Sequence, residues 1–170
     1  KDKEIYKGLS DTDALTGLFN RRAFQAAVDE TLLKRISGVF IFIDVDNFKR
    51  VNDTWGREFG DIVLNDVAAV LRRIFRRSDY IGRIGDDEFL VLLRDVEPER
   101  LSEKKAQEFY TALGTLFSAR GDERYKPTCS VGIARYPMDG TLFETVFQSA
   151  DAALHEAKRL GLNRVAFAPG

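Results

Sequence analysis

The segment GVFIFIDVD, residues 38–46, is apolar, β-branched and aromatic without a break until its acids. A strand exposed on one face alternates in polarity. An unbroken run predicts a strand covered on both faces. From Asp61 the apolar residues Leu64, Val67, Ala68, Leu71, Ile74 and Phe75 recur at helical spacing. That helix is expected to open on the acid and to close on Arg72, Arg73, Arg76 and Arg77, as its dipole favours. DYIGRI and EFLVLL read as two strands joined through GDD, a hairpin signal. Residues 98–120 predict a helix opening near Pro98, and KPTCSVGIARY a strand. Phe143, Val146, Phe147, Ala150, Leu154 and Ala157 mark one face of a further helix, closed by Gly161. RVAFA is a last short strand, and DALTGLFNRRAFQAAVDETLLKRI a loop followed by a helix. The order α-β-α-β-β-α-β-α-β predicts an α/β (α+β) fold with a single mixed sheet of about five strands under helices.

Composition narrows the field. A chain of 170 residues fits one domain with its own core. Its 44% apolar and 31% charged residues are those of an ordinary globular protein. A net charge of -1 gives no global field to recruit nucleic acid or an anionic membrane, so no nucleic acid partner is expected. The one cysteine, Cys129, excludes an internal disulfide framework and reads as a buried small hydrophobe. No apolar run approaches the ~20 residues of a membrane helix, and no signal peptide is recognisable. A cytoplasmic location is expected, either free or as the cytoplasmic part of a larger membrane-anchored protein.

The chemistry gathers at strand ends. Asp44 and Asp46 close the first buried strand, and Asp86, Asp87 and Glu88 occupy the hairpin. If those strands are neighbours, five carboxylates converge on one edge. A hard cation with oxygen ligands, chiefly Mg²⁺, relieves that repulsion and keeps positions open for phosphate oxygens, so a nucleoside triphosphate is a natural second partner. Taken singly, such acids mark solvated turns.

DALTGLFNRRAF, DVDNFKRVNDTWGREFGD, RRSDYIGRIGDDEF, SVGIA and ADAALHEAKRLGLNR together resemble the signatures of GGDEF domains, the diguanylate cyclases, in family order over nearly the whole chain. The resemblance implies a fold related to adenylyl cyclase and polymerase palms. It implies a reaction in which two GTP molecules, one on each of two facing domains, condense to cyclic di-GMP and two pyrophosphates. It implies residues 11–170 as the domain, with 1–10 the end of an upstream linker helix, and flanking sensor or phosphodiesterase domains in a longer chain. By the same resemblance Asp44, the Val45 carbonyl and Asp87 hold two Mg²⁺ ions. Asp87 aids deprotonation of the 3′-hydroxyl, with Glu88 beside it. Phe48 and Lys49 lie in a turn whose N–H groups meet phosphate, and Lys158 is a phosphate-binding lysine. Asn52 and Asp61 read guanine; singly they are equally turn and N-cap residues. Arg76 and Asp79 form RxxD, the family's inhibitory site for cyclic di-GMP.

Four positions depart from the pattern. Asp86 stands at the second signature glycine, adding bulk and charge beside a polyanion and removing a residue of free backbone. Leu162 stands where a phosphate-binding arginine is usual. Arg57 replaces a histidine, and His155, read as a packing residue, replaces a tyrosine. Three readings follow: a catalytically impaired domain that binds GTP or cyclic di-GMP and regulates an attached module; an active cyclase; and a ligand-free dimerisation scaffold.

Overall fold

The computed structural model describes residues 11–95, 104–113 and 127–169. The expected linker at 1–10 and the helix start near Pro98 lie outside these. Five strands form one sheet in the order β2-β3-β1-β4-β5. They are β1 (Gly38–Val45), β2 (Tyr80–Arg83), β3 (Glu88–Arg94), β4 (Cys129–Tyr136) and β5 (Val165–Phe167). β1 runs antiparallel to both β3 and β4, β2 is antiparallel to β3, and β5 alone is parallel to its neighbour β4. The mixed five-stranded sheet is as expected.

The unbroken apolar run of β1 is explained by its central position, with all eight residues buried. Its odd residues, Val39, Ile41, Ile43 and Val45, join a core with Val63, Leu64, Val67 and Leu71 of α3 (Arg57–Ile74) and with Phe109 and Leu113 of α4, the helix at 104–113. Its even residues Phe40 and Phe42 join a second core with Phe24 and Val28 of α1 (Arg21–Leu33) and with Phe143, Val146, Ala150 and Leu154 of α5 (Phe143–Gly161). Strand alternation thus divides one run between two helical layers. α1 starts where Asn20 Oδ1 accepts from Ala23 N at 2.9 Å, an N-cap that halts the preceding loop. Gly132 lets β4 lie against α5: a Cβ there would stand 2.2 Å from Ala150 O. Cys129 is buried in β4, as expected.

Two expectations need correction. The residues from Phe48, read as a turn, form a helix, α2 (Phe48–Trp55), entered through left-handed Asn47. The next helix begins at Arg57 rather than Asp61, with Glu58 as its first-turn acid. Gly56, at φ 91°, breaks what would otherwise be one helix. The apolar spacing from Leu64 onward shows only the part of α3 that faces the sheet.

Candidate functional site

The β1–β3 register sets Asp44 directly opposite Glu88, and Val45 N donates to Asp87 O at 3.1 Å. Three carboxylates therefore meet at one edge: Asp44, Asp87 and Glu88. Like charges across a strand pair repel. Burial and then the adjacent Asp44 push Asp87 up to about 7. Burial, Asp44 and Asp151 raise Glu88, against the pull of Lys158 and Arg21.

The expected five-carboxylate cluster is reduced to these three. Asp46 is buried and spends its oxygens on Thr128, Ser130 and the Asn163 amide. Asp86 is exposed and lines a different cavity. Its backbone is not left-handed, so this turn does not require a glycine at that position. His155 is exposed rather than packed, its ring nitrogen beside Asp151 O at 2.8 Å.

Lys158 projects from the last turns of α5 and donates to Asp44 Oδ2. Burial lowers its pKa, but that bond and the charges of Asp44, Asp87 and Asp46 outweigh burial and raise it, so it stays a cation. Asp44 Oδ1 is buried without a hydrogen-bond partner. A buried carboxylate oxygen with an unused lone pair, next to the second carboxylate Asp87, suits a hard oxygen-seeking ion. Among the described residues no three acidic, cysteine or histidine side chains form a complete metal cage. Mg²⁺ rarely has one, since it takes one or two carboxylates and fills its shell with water and phosphate.

Beside this edge lies a cavity of about 430 Å³ lined by Phe48, Asn52, Asp53, Arg57, Asp61, Leu64, Arg83 and Asp86. Asn52 comes from α2 and Asp61 from α3, brought together by the Gly56 break. Asn52 Oδ1 is buried and unpartnered. The Phe48 side chain is buried in the core while Lys49 is exposed. Their amides lie in the first turn of α2, where N–H groups have no intrahelical acceptor and favour anions.

The hairpin is braced by residues that sequence reading did not single out. Arg83 Nε and Nη2 hold Asp86 O at 3.1 and 2.8 Å, while Nη1 holds Asp13 Oδ1 at 2.9 Å. Asp13 also takes the amide and hydroxyl of Thr16 through Oδ2 at 2.9 and 2.7 Å. The visible signal was the DxxT turn, but its partner lies 70 residues away.

At the C-terminal end of α3 is a groove of about 360 Å³ lined by Leu18, Phe19, Arg72, Phe75, Arg76 and Asp79 among others. Arg76 N donates to Asp79 Oδ2 at 2.9 Å, and the Arg76 guanidinium stands 3.6 Å from Oδ1. Asp79 is almost wholly buried, whereas the Arg76 side chain is 56% exposed.

A mixed sheet with helices on both faces and an acid-lined edge on its central strands defines a palm-like α/β domain. The chain belongs to the GGDEF family, "Diguanylate cyclase, GGDEF domain", whose sequence profile matches residues 10–164. It is 37% identical over 162 residues to the cyclic di-GMP phosphodiesterase PdeR of Escherichia coli, covering 94% of this chain and 24% of PdeR. It is 36% identical over 159 residues to the diguanylate cyclase DgcP of Pseudomonas aeruginosa, covering 91% of this chain and 23% of DgcP. The chain thus spans about a quarter of the length of these relatives. Among solved structures, the GGDEF domain of DgcB from Caulobacter crescentus in complex with c-di-GMP matches with a TM-score of 0.81 at 30% identity, over 94% of this chain and 96% of that one. A GGDEF-only form of PA1120 from Pseudomonas aeruginosa matches with a TM-score of 0.82 at 28% identity, over 93% and 94%. The chain is a GGDEF domain of cyclic di-GMP signalling. No described helix is long and apolar enough to cross a membrane.

Proposed function

We propose that the domain binds GTP with Mg²⁺, is weakened as a cyclase, and acts as a GTP- or cyclic di-GMP-responsive module on the protein that carries it. The observation that carries this reading is Asn52. Its buried, unpartnered Oδ1 belongs to a side chain lining the cavity shared with Asp61. Leaving a buried polar atom unpaired costs about 1–3 kcal/mol, and a scaffold without ligand has no use for that cost.

The roles follow from chemistry. The Asp61 carboxylate accepts from guanine N1–H and N2–H, and the Asn52 amide completes the base edge, a pattern adenine does not match. The first-turn amides at Phe48 and Lys49 receive phosphate oxygens, with Lys158 as the opposing cation. Asp44, Asp87 and the Val45 carbonyl would hold Mg²⁺, which neutralises phosphate charge when bound. Asp87 is the group to take the 3′-hydroxyl proton of the facing nucleotide, with Glu88 alongside. Two copies of the domain must face each other for that attack.

Leu162 is why catalysis is weakened: it offers phosphate no donor. Asp86 adds a carboxylate at the mouth of the base cavity. The alternative is an active cyclase, favoured by the ordinary backbone and exposure of Asp86, which leave its charge as its main cost. Two relatives named phosphodiesterases, PdeR and NbdA of Pseudomonas aeruginosa, support a regulatory place within a longer chain. Incubation with GTP and Mg²⁺ followed by separation of the products tests the reading. Little cyclic di-GMP is expected alongside guanine-specific binding by calorimetry. Robust turnover at micromolar protein overturns the impairment, and equal binding of ATP and GTP overturns the base assignment.

A further inference from the structure

Asp44 and Asp46 are two residues apart, so both point to the α5 side of the sheet end. They do different things there. Asp44 keeps Oδ1 unpartnered, whereas Asp46, 4% exposed, has both oxygens taken. Ser130 Oγ donates to Asp46 Oδ1 at 2.6 Å, and Thr128 Oγ1 and Asn163 N donate to Oδ2 at 2.7 and 2.9 Å. Short contacts to an ionised acceptor are the strong class of hydrogen bond. One buried carboxylate thus ties together the end of β1, the start of β4 and the turn after α5.

That turn needs tying. Leu162 and Asn163 both have positive φ, 54° and 49°, which is disfavoured for side chains such as leucine and kept only where the surroundings enforce it. The Asn163 amide is fixed by Asp46 and by Ser130 Oγ at 3.2 Å, and Val131 N holds the next carbonyl, Arg164 O, at 2.8 Å. Lys158 lies one helical turn before Leu162, so the same anchor sets the end of the helix that carries it.

We propose that Asp46 is a positioning residue for the phosphate-binding end of the site, holding the Leu162–Asn163 turn and the Lys158 end of α5 in place, and is not a metal ligand. The ligand named here rests on the nucleotide reading above.

Asp46→Asn keeps the side-chain shape, loses the charge and cannot accept at both positions. Calorimetry well below its melting temperature compares GTP, guanosine and Mn²⁺ alone. GTP affinity is expected to fall about tenfold, the loss of one charge-assisted bond's worth of placement, with guanosine and Mn²⁺ affinities unchanged. Unchanged GTP affinity makes Asp46 a purely structural residue and overturns the proposal. A parallel fall in Mn²⁺ affinity makes it a metal ligand and also overturns it. Should Asp46→Asn fail to fold, Ser130→Ala removes one donor while leaving the carboxylate, and a smaller loss confined to GTP is expected; none overturns the proposal. Should the wild-type protein bind no GTP, the nucleotide reading fails by itself. Amide hydrogen exchange then decides: Asn163 is expected to exchange faster in either variant while the interior of α5 does not, and equal protection at Asn163 overturns the positioning role.

Discussion

Gly60 and Asn52 are in direct contact: a Cβ on Gly60 would stand 1.9 Å from Asn52 Oδ1. The two residues sit on α3 and α2, on either side of the Gly56 break. A bare backbone at Gly60 is what lets the Asn52 amide lie where it lines the cavity shared with Asp61.

Gly60→Ala is therefore expected to push Asn52 aside and lower GTP affinity at least tenfold, about 1.4 kcal/mol. ATP affinity should change little, so the ratio of the two reports loss of base reading. Calorimetry with both nucleotides checks it. An unchanged ratio would falsify the role given to Asn52.

Arg76 and Asp79 should separate on mutation. Arg76→Ala should weaken cyclic di-GMP binding by about 1.5–3 kcal/mol, the cost of losing a charged hydrogen bond, with little change in melting temperature because the side chain is largely solvated. Asp79→Ala should instead lower the melting temperature, since it strips the Arg76 amide of its side-chain acceptor. Titration and thermal melts of both variants decide, and equal stability effects would show that the RxxD turn is not built on Asp79.

Asp86→Gly should raise GTP affinity, but by far less than hundredfold. An unscreened carboxylate ~5 Å from phosphate at an effective dielectric near 20 would cost about 3 kcal/mol. Asp86 is exposed, so solvent and salt remove much of that. A gain that shrinks as salt rises is the expected signature. Leu162→Arg should add to it by supplying a phosphate donor.

Asp87 gives the metal-free protein a pH dependence. Its folded pKa, raised to about 7, lies above the ordinary carboxylate value. Between pH 3.8, the ordinary aspartate value, and about 7 the folded state holds a proton that the unfolded state has lost, so stability falls as pH rises through that window. Asp87→Asn should flatten this slope and melt higher than wild type at pH 8 in chelator. Mg²⁺ should raise the wild-type melting temperature and leave the variant nearly unmoved. Melts against pH with and without Mg²⁺ test both halves, and a variant that keeps the full slope would move the titrating group elsewhere.

The sequence alone determined the sheet and its helical layers, because each element carries its own period. The unbroken run at 38–45 could only be a doubly covered strand, and Asp87 and Glu88 had to sit at a hairpin. It also singled out Asn52 and Asp61, which line one cavity, and Arg76 and Asp79, which line another, through motifs whose members are near one another in the chain. It could not place α2, since a helix of eight residues entered through left-handed Asn47 and ended at Gly56 has too few turns to show a period. Only the tertiary structure divided the five acids. Asp44 and Glu88 face each other because β1 and β3 pair in that register, whereas Asp46 is drawn off by Ser130 and Asn163, 84 and 117 residues away. Asp86 is carried to the Asn52–Asp61 cavity on a turn clamped by Arg83. Identical carboxylates look alike in a sequence; which of them is free to bind a ligand depends on the donors that folding brings to it.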